Sequence, residues 1–296
     1  MRVFVTGATG WVGFAVVKEL LAAGHKVIGL ARSDEGAKSL AAAGAEVHRG
    51  DLKDLDGLRR GAAMSDGVIH TAFIHDFSNF AESCEIDKRV IETMGAELAG
   101  SNRPLIVTSG TGLLAQGTRV NEDTPPPASA PIPRVSEQVA LAMVPHGVRA
   151  SVVRLPPSVH GNGDHGFVPR IIGFAREKGE SVYIGDGNNH WAAVHRFDAA
   201  KVYKLALEKG AAGIRYHAVA EEGVPFRDIA TVVGRRLNVP VVGKSAEEAK
   251  EHFGWFTHFA AMGNLSSSQR TRDELGWQPK EIGLIADIDQ PYYFKT

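Results

Sequence analysis

An apolar run, Val3-Phe4-Val5, leads straight into Thr6-Gly7-Ala8-Thr9-Gly10-Trp11-Val12-Gly13, after which Phe14 to Leu21 reads as a helix. No other segment of the chain constrains its fold as tightly. Gly7 permits a tight turn, Gly10 lets a charged group approach the backbone, and Gly13 lets the helix pack close to the strand. The helix start offers unpaired N–H groups and the positive end of a dipole, which together suit a pyrophosphate. A glycine triplet alone says little; set between a strand and a helix at the start of a βαβ unit it is a dinucleotide signal. Gly7, Thr9, Gly10, Trp11 and Val12 are therefore the first candidate cofactor contacts.

The strand and helix patterns keep alternating. Lys26 to Leu30, Ala45 to His48, Gly67 to His70 and Pro104 to Thr108 read as strands. Glu35 to Ala43, Asp54 to Ala62 and Glu82 to Ala99 read as the helices between them. This rhythm predicts an α/β fold with a doubly wound parallel sheet and right-handed crossovers. Asp123 to Pro133 holds five prolines and reads as a loop. A helix from Arg134 to Val144 and a sixth strand, Val148 to Leu155, follow. Beyond Pro156 the pattern changes: helices are expected at 168–178 and at 198–208, the latter capped by Asp198. A capping box is expected at Ser245 to Glu248, and a last helix at 266–275. The expected division is a dinucleotide-binding domain over 1–155, to which 192–220 return, and a smaller substrate lobe from 156–191 and 221–296.

Composition excludes several other classes of function. A formal net charge of −1 gives no field for nucleic acid or an acidic membrane. The one cysteine, Cys84, rules out an internal disulfide and suits a reducing cytoplasm. No apolar run reaches the length of a membrane span, and the first strand begins so early that no signal peptide is expected.

Several pieces, in order, resemble the extended short-chain dehydrogenase/reductase superfamily of the epimerase/dehydratase type. They are Thr6 to Gly13, Gly50-Asp51-Leu52, His70-Thr71-Ala72, Val107-Thr108-Ser109, Arg154 to Gly161, Gly185-Asp186-Gly187, Val194 to Asp198 and Leu275 to Pro279. The resemblance implies a Rossmann domain that binds a nicotinamide dinucleotide, with a C-terminal substrate lobe. It implies that Asp51 and Leu52 face the adenine. It sets Thr71, Ala72 and Phe73 along the ribose and nicotinamide side, and Pro156, Pro157 and Ser158 against the nicotinamide amide. Homodimers are common in such proteins.

The end of strand two chooses between NAD and NADP. An acid there binds the ribose 2′-hydroxyl. This chain has Ala31-Arg32-Ser33, and a guanidinium with a hydroxyl suits a 2′-phosphate. NADP(H) is the expected cofactor and NAD(H) the alternative; Asp34 is expected to cap the next helix.

The superfamily's tyrosine, followed four residues later by lysine, is missing. None of the five tyrosines has that lysine. Where the pair should fall, Ser136 fits the family's serine, which leaves Pro133 and Glu137 at the two catalytic positions. The chain thus reads as an atypical branch. Substitutes are Ser109 and Thr111 after strand five, which hold a carbonyl by a hydrogen bond, and the histidines His75, His160 and His165, whose pKa lies near neutrality. His190 and His195 lie further along. A zinc site from His160, Asp164 and His165 is set aside for want of ligand spacing, so no metal is expected. Arg134 reads either as a cleft residue that pairs an acidic substrate or as a surface charge.

Two classes of function follow. One is an NADP(H)-dependent oxidoreductase acting on a small carbonyl or hydroxyl substrate, with epimerase or dehydratase chemistry as a variant. The other is a nucleotide-binding sensor without catalysis. The partner is a small molecule, with neither nucleic acid nor membrane.

Overall fold

The computed structural model describes residues 1–114, 117–127 and 133–295. Residues 128–132 of the expected proline loop lie outside these. The first half alternates as its sequence indicates: β1 (Arg2–Thr6), α1 (Trp11–Ala22), β2 (Lys26–Ala31), α2 (Asp34–Ala42), β3 (Glu46–Arg49), α3 (Leu55–Ala63), β4 (Gly67–His70), α4 (Phe80–Leu98) and β5 (Pro104–Gly110). Then come a two-residue strand β6 (Arg119–Val120), α5 (Ser136–Ala142), β7 (Arg149–Leu155), β8 (Ser158–His160), α6 (Phe167–Lys178), β9 (Ser181–Ile184), β10 (His190–His195), α7 (Arg196–Lys209) and β11 (Arg215–His217). The remainder is β12 (Glu221–Pro225), α8 (Phe226–Leu237), β13 (Val241–Lys244), α9 (Ala246–Phe253), α10 (Thr257–Ala260), β14 (Leu265–Ser266), α11 (Gln269–Leu275) and α12 (Leu284–Ile288).

Seven strands form one sheet in the order β11-β7-β5-β4-β1-β2-β3, all parallel. The chain reverses its direction of travel between β1 and β4, so the crevice at their carboxyl ends is where such a sheet binds ligands. Both faces are covered, which is why the strands are nearly continuous apolar runs. On one side Val16, Leu20, Tyr203 and Leu207 from α1 and α7 pack with Val3, Val5 and Ile69. On the other, Leu58, Val90, Met94 and Ala140 from α3, α4 and α5 pack with Phe4, Val68 and Leu105. A third cluster, built on Trp191, Phe226, Phe253 and Phe256, belongs to the small sheets and helices of the second half.

Three local expectations are corrected. Ser33, not Asp34, caps α2: its hydroxyl accepts from the Gly36 amide at 3.1 Å. The cap of α7 is His195, whose imidazole accepts from Phe197. Asp198 lies inside that helix instead and accepts from the Lys280 and Glu281 amides at 2.9 and 2.8 Å. The helix expected last, α11, starts three residues late, at Gln269, because the preceding Leu265–Ser266 pairs with β6, and a further short helix, α12, follows it. The Ser245–Glu248 capping box forms in full. Among the described residues no helix is long and apolar enough to cross a membrane.

Candidate active site

The glycine loop has the geometry of an anion cradle. Gly7 has a φ of +68°, and a side chain there would meet the Ala72 amide at 2.6 Å. At Gly13 a side chain would come within 2.0 Å of the Gly7 carbonyl. Gly10 is exposed and is the N-cap of α1, with no side chain capping it. The Trp11 and Val12 amides donate to no described group, while Phe14 already donates to Gly10. A twelve-residue helix thus points its open, positive end at the switch-point crevice. This arrangement fits a dinucleotide diphosphate.

At the end of β2, Arg32 is exposed and pairs with no described group. Arg49 reaches the same place from β3, donating to the Ser33 carbonyl at 2.6 Å and pairing with Asp34 at 2.5 Å. Asp34, the one acid beside Arg32 in sequence, is therefore already neutralised. Asp51 is exposed and receives the Lys53 amide at 2.7 Å. Leu52 lines a hollow of about 210 Å³ with Leu55, Glu82 and Ile86, at the margin of the crevice.

The carboxyl ends of β4 and β5 carry the second group. Thr71 donates to the Thr6 carbonyl at 2.8 Å, fixing the turn that supports Gly7. Phe73 stacks under Arg134, whose guanidinium carbon lies 4.0 Å from the ring centre. His75 stands edge-on to the same ring at 5.1 Å. Desolvation, and then the Arg134 charge, hold its imidazole below the usual pKa. The Ser109 hydroxyl makes no bond to a described side chain and is 5% exposed. Thr111 is a correction: it is fully buried, and its hydroxyl is tied to Asn264 at 2.8 Å, out of a substrate's reach.

Pro133, at the family's tyrosine position, is exposed. Ser136 faces inward and donates to Asp87, which also accepts from His70 at 3.0 Å. His70 in turn bonds Thr6 at 2.6 Å. A hydrogen-bonded chain thus runs from the residue before the glycine loop to Arg134, which donates to Ser136 at 2.9 Å. Burial alone would raise the Asp87 pKa, but the His70 hydrogen bond and charge hold it below the usual range. Glu137 turns away from the crevice and pairs with the fully buried Arg154 at 2.6 Å.

The segment after β7 closes the crevice from the lobe side. Pro157 is half-buried there, while Pro156 and Ser158 are buried; the Ser158 hydroxyl points inward without a described partner, so it does not present itself to a ligand. His160 is likewise corrected: fully buried, it bonds Asp287 at 2.9 Å and cannot touch a substrate. His165 is exposed, edge-on to Trp11 at 5.6 Å, and near enough to His75 to lower its pKa. Trp11 also carries the Arg196 guanidinium at 4.1 Å. The structure therefore gathers His75, His165, Ser109 and Arg134 around the crevice and leaves Thr111 and His160 in the packing.

Asp164 accepts from the Gly166 amide at 2.6 Å and from Tyr293 at 3.1 Å. Tyr293 also donates to Asp287 at 3.1 Å. Burial pushes the Asp164 carboxyl up from 3.8 to about 6. The folded protein then holds more protons than the unfolded chain, so this group's contribution is present at low pH and is lost as pH rises through that window. Asp164→Asn is expected to flatten the fall in stability between about pH 4 and pH 6, as read by urea unfolding. An unchanged slope contradicts this.

The sequence reading missed the His70–Asp87–Ser136 chain and the Tyr293 link. The first carries no spacing signal, because its members come from β4, α4 and α5. The second joins residues 129 apart in sequence.

A family model described as the NAD dependent epimerase/dehydratase family matches residues 3–219. An uncharacterized protein of Schizosaccharomyces pombe is 51% identical over 295 residues, covering 99% of this chain and 100% of its own. The decarboxylating sterol-4-alpha-carboxylate 3-dehydrogenase of Dictyostelium discoideum is 28% identical over 247 residues, 78% of this chain and 74% of its own. A dTDP-glucose 4,6-dehydratase from Streptomyces venezuelae, solved with NAD bound, superimposes with a TM-score of 0.77 at 20% identity, covering 99% of this chain and 97% of that one. That last likeness is one of fold.

Proposed function

This chain belongs to the NAD dependent epimerase/dehydratase family, and on that premise we propose that it is an NADP(H)-dependent oxidoreductase acting on a small carbonyl or hydroxyl compound, without a tyrosine–lysine pair. The observation that carries this reading is the open N-terminus of α1 at the switch point, with the Trp11 and Val12 amides undonated beside the polar group formed by Ser109, His75 and Arg134. Held by the Trp11 and Val12 amides, a nicotinamide dinucleotide would supply hydride chemistry; in the reducing direction the substrate carbon would gain a hydride and its oxygen a proton, and in the oxidising direction both would be given up. Ser109 orients the oxygen through its hydroxyl. In the oxidising direction His75, kept neutral by its lowered pKa, takes the hydroxyl proton; in the reducing direction it delivers to the oxygen a proton it has first taken from solvent. Epimerase or dehydratase chemistry would use the same groups with the hydride returned to the same substrate.

The test is NADPH oxidation against aldehydes, ketones and imines, repeated with alanine at His75, Ser109 and His165. Turnover that slows in these variants supports the reading. Tight NADPH binding without turnover on any of them supports a nucleotide sensor instead.

Arg32 and Arg49 at the end of β2 support NADP(H) over NAD(H). Arg32→Ala is expected to weaken NADPH binding by about 10- to 100-fold and leave NADH within about threefold, since a charge-assisted bond contributes about 1.5–3 kcal/mol. Calorimetric titration with both nucleotides decides it; equal losses contradict the assignment. A cytoplasmic location suits the lone, buried Cys84. A homodimer, through α4 and α5, is the assembly the family suggests, and light scattering reads it directly.

A further inference from the structure

We infer that the substrate carries a carboxylate and that Arg134 is the residue that binds it. This rests on the oxidoreductase reading above and names its substrate class: a small 2-oxo or 3-oxo acid, or the corresponding hydroxy acid.

Arg134 stands where the carboxyl ends of β4 and β5 meet. Its Nη2 donates to the Thr108 carbonyl at 3.1 Å, its Nε donates to Ser136 at 2.9 Å, and Phe73 lies flat beneath it. Among the described residues these contacts fix the plane of the guanidinium and use two of its five N–H donors, both on neutral acceptors. Among the described residues no carboxylate lies within ion-pair distance of it. The nearest acid in the network, Asp87, is behind Ser136 and already paired with His70 at 3.0 Å. The fully buried Arg154, by contrast, is matched by Glu137, while Arg196, stacked on Trp11, is likewise without a carboxylate among the described residues. Arg134 is half-buried and clamped by neutral acceptors, and its nearest acid, Asp87, acts on it only from beyond Ser136, so the outer edge of the guanidinium is left for an anionic ligand.

The bound nucleotide does not supply that charge. Its diphosphate belongs over the loop after β1, and its 2′-phosphate at the end of β2. Arg134 sits at β5, two strands beyond β1 on the opposite side, which is about 10 Å away at ordinary strand spacing. The nicotinamide end is neutral in its amide, so the remaining anion is the substrate's own. The planar fork of a guanidinium matches a carboxylate in two parallel hydrogen bonds. Ser109 follows Thr108 directly, so the acid group bound at Arg134 lies close to the carbonyl held at Ser109. Acids whose carbonyl lies one or two carbons from the carboxylate are the class that could use both neighbouring groups.

The experiment compares a 2-oxo acid and a 3-oxo acid with their methyl esters as substrates for NADPH oxidation, using wild type, Arg134→Lys and Arg134→Gln. It also measures binding of oxamate, an unreactive carboxylate, to the NADPH complex. Wild type is expected to prefer the acids by about 30-fold or more in kcat/KM. Arg134→Gln is expected to erase that acid-over-ester preference through KM and to weaken oxamate binding to the same degree. Arg134→Lys keeps the charge without the fork and retains part of the preference. If the glutamine variant fails to fold, the acid-to-ester ratio of the lysine variant carries the test. Three results overturn the inference: esters reduced as well as acids by wild type, acids and esters losing equally on substitution, or inorganic phosphate displacing oxamate. Failure of the underlying reading looks different, because then neither acid nor ester is reduced while Arg134-dependent oxamate binding persists.

Discussion

Glu137→Gln is expected to lower the stability of the folded chain by about 3–5 kcal/mol, the usual result of leaving one partner of a buried ion pair unmatched. Glu137 is 2% exposed and Arg154 is 0% exposed. The two join through Nη2 at 2.6 Å and Nε at 2.9 Å, and the Arg215 Nε also bonds the same carboxylate. His217, against the Arg154 Nη1 at 3.2 Å, gives no counter-charge: burial, and then Arg154 itself, push its pKa down to about 3. One carboxylate therefore serves two guanidiniums, and its loss strands both. At about 2–4 °C per kcal/mol for a chain of this size, the midpoint of thermal unfolding should drop by roughly 10 °C. A drop under about 2 °C would show that the pair does not support the fold. Glu137→Lys is expected to destabilise further, since it sets a third cation beside Arg154 and Arg215.

Gly13→Ala is expected to abolish nucleotide binding. The new methyl would lie 2.0 Å from the Gly7 carbonyl and 2.6 Å from the Thr71 hydroxyl, and neither is the free end of a flexible side chain. To relieve the overlap, the start of α1 must move away from β1 and carry the Trp11 and Val12 amides with it. The expected loss in NADPH affinity is at least about 100-fold, with about 1–3 kcal/mol of lost stability from overpacking. Gly173→Ala is the control. It lies in α6 with nothing within 4 Å of the added carbon, so it should leave binding intact and stabilise by about 1 kcal/mol. Fluorescence titration of both variants checks the pair. Equal affinities would contradict the role given to the loop.

What the sequence made legible follows from where each signal lives. The strand–loop–helix at 2–22 is local: glycines at 7, 10 and 13 have one physical use when a strand precedes and a helix follows. The alternation that predicts the parallel sheet is likewise carried by short apolar runs such as Val68-Ile69 and Leu105-Ile106-Val107, buried on both faces. Helix ends were read less well where a rival cap stood one residue away, as with Ser33 beside Asp34. The site divides on the same line. His75 and Ser109 are legible because each lies at the carboxyl edge of a strand; Arg134, at the start of the helix after the proline loop, reads equally as a cleft residue or a surface charge. Thr111 and His160 lie at such edges as well, but their side chains are consumed by Asn264 and Asp287, which come from 153 and 127 residues away. No local pattern announces such a partner. Nor does any announce that Glu137 is turned to Arg154.

The central claim is that the first three glycines hold the diphosphate of a nicotinamide dinucleotide. A crystal structure determined with NADPH tests it most directly. The account predicts the diphosphate oxygens within hydrogen-bonding distance of the Trp11 and Val12 amides, with the 2′-phosphate beside Arg32. Density for the nucleotide anywhere else, or none at saturating concentration, would contradict it.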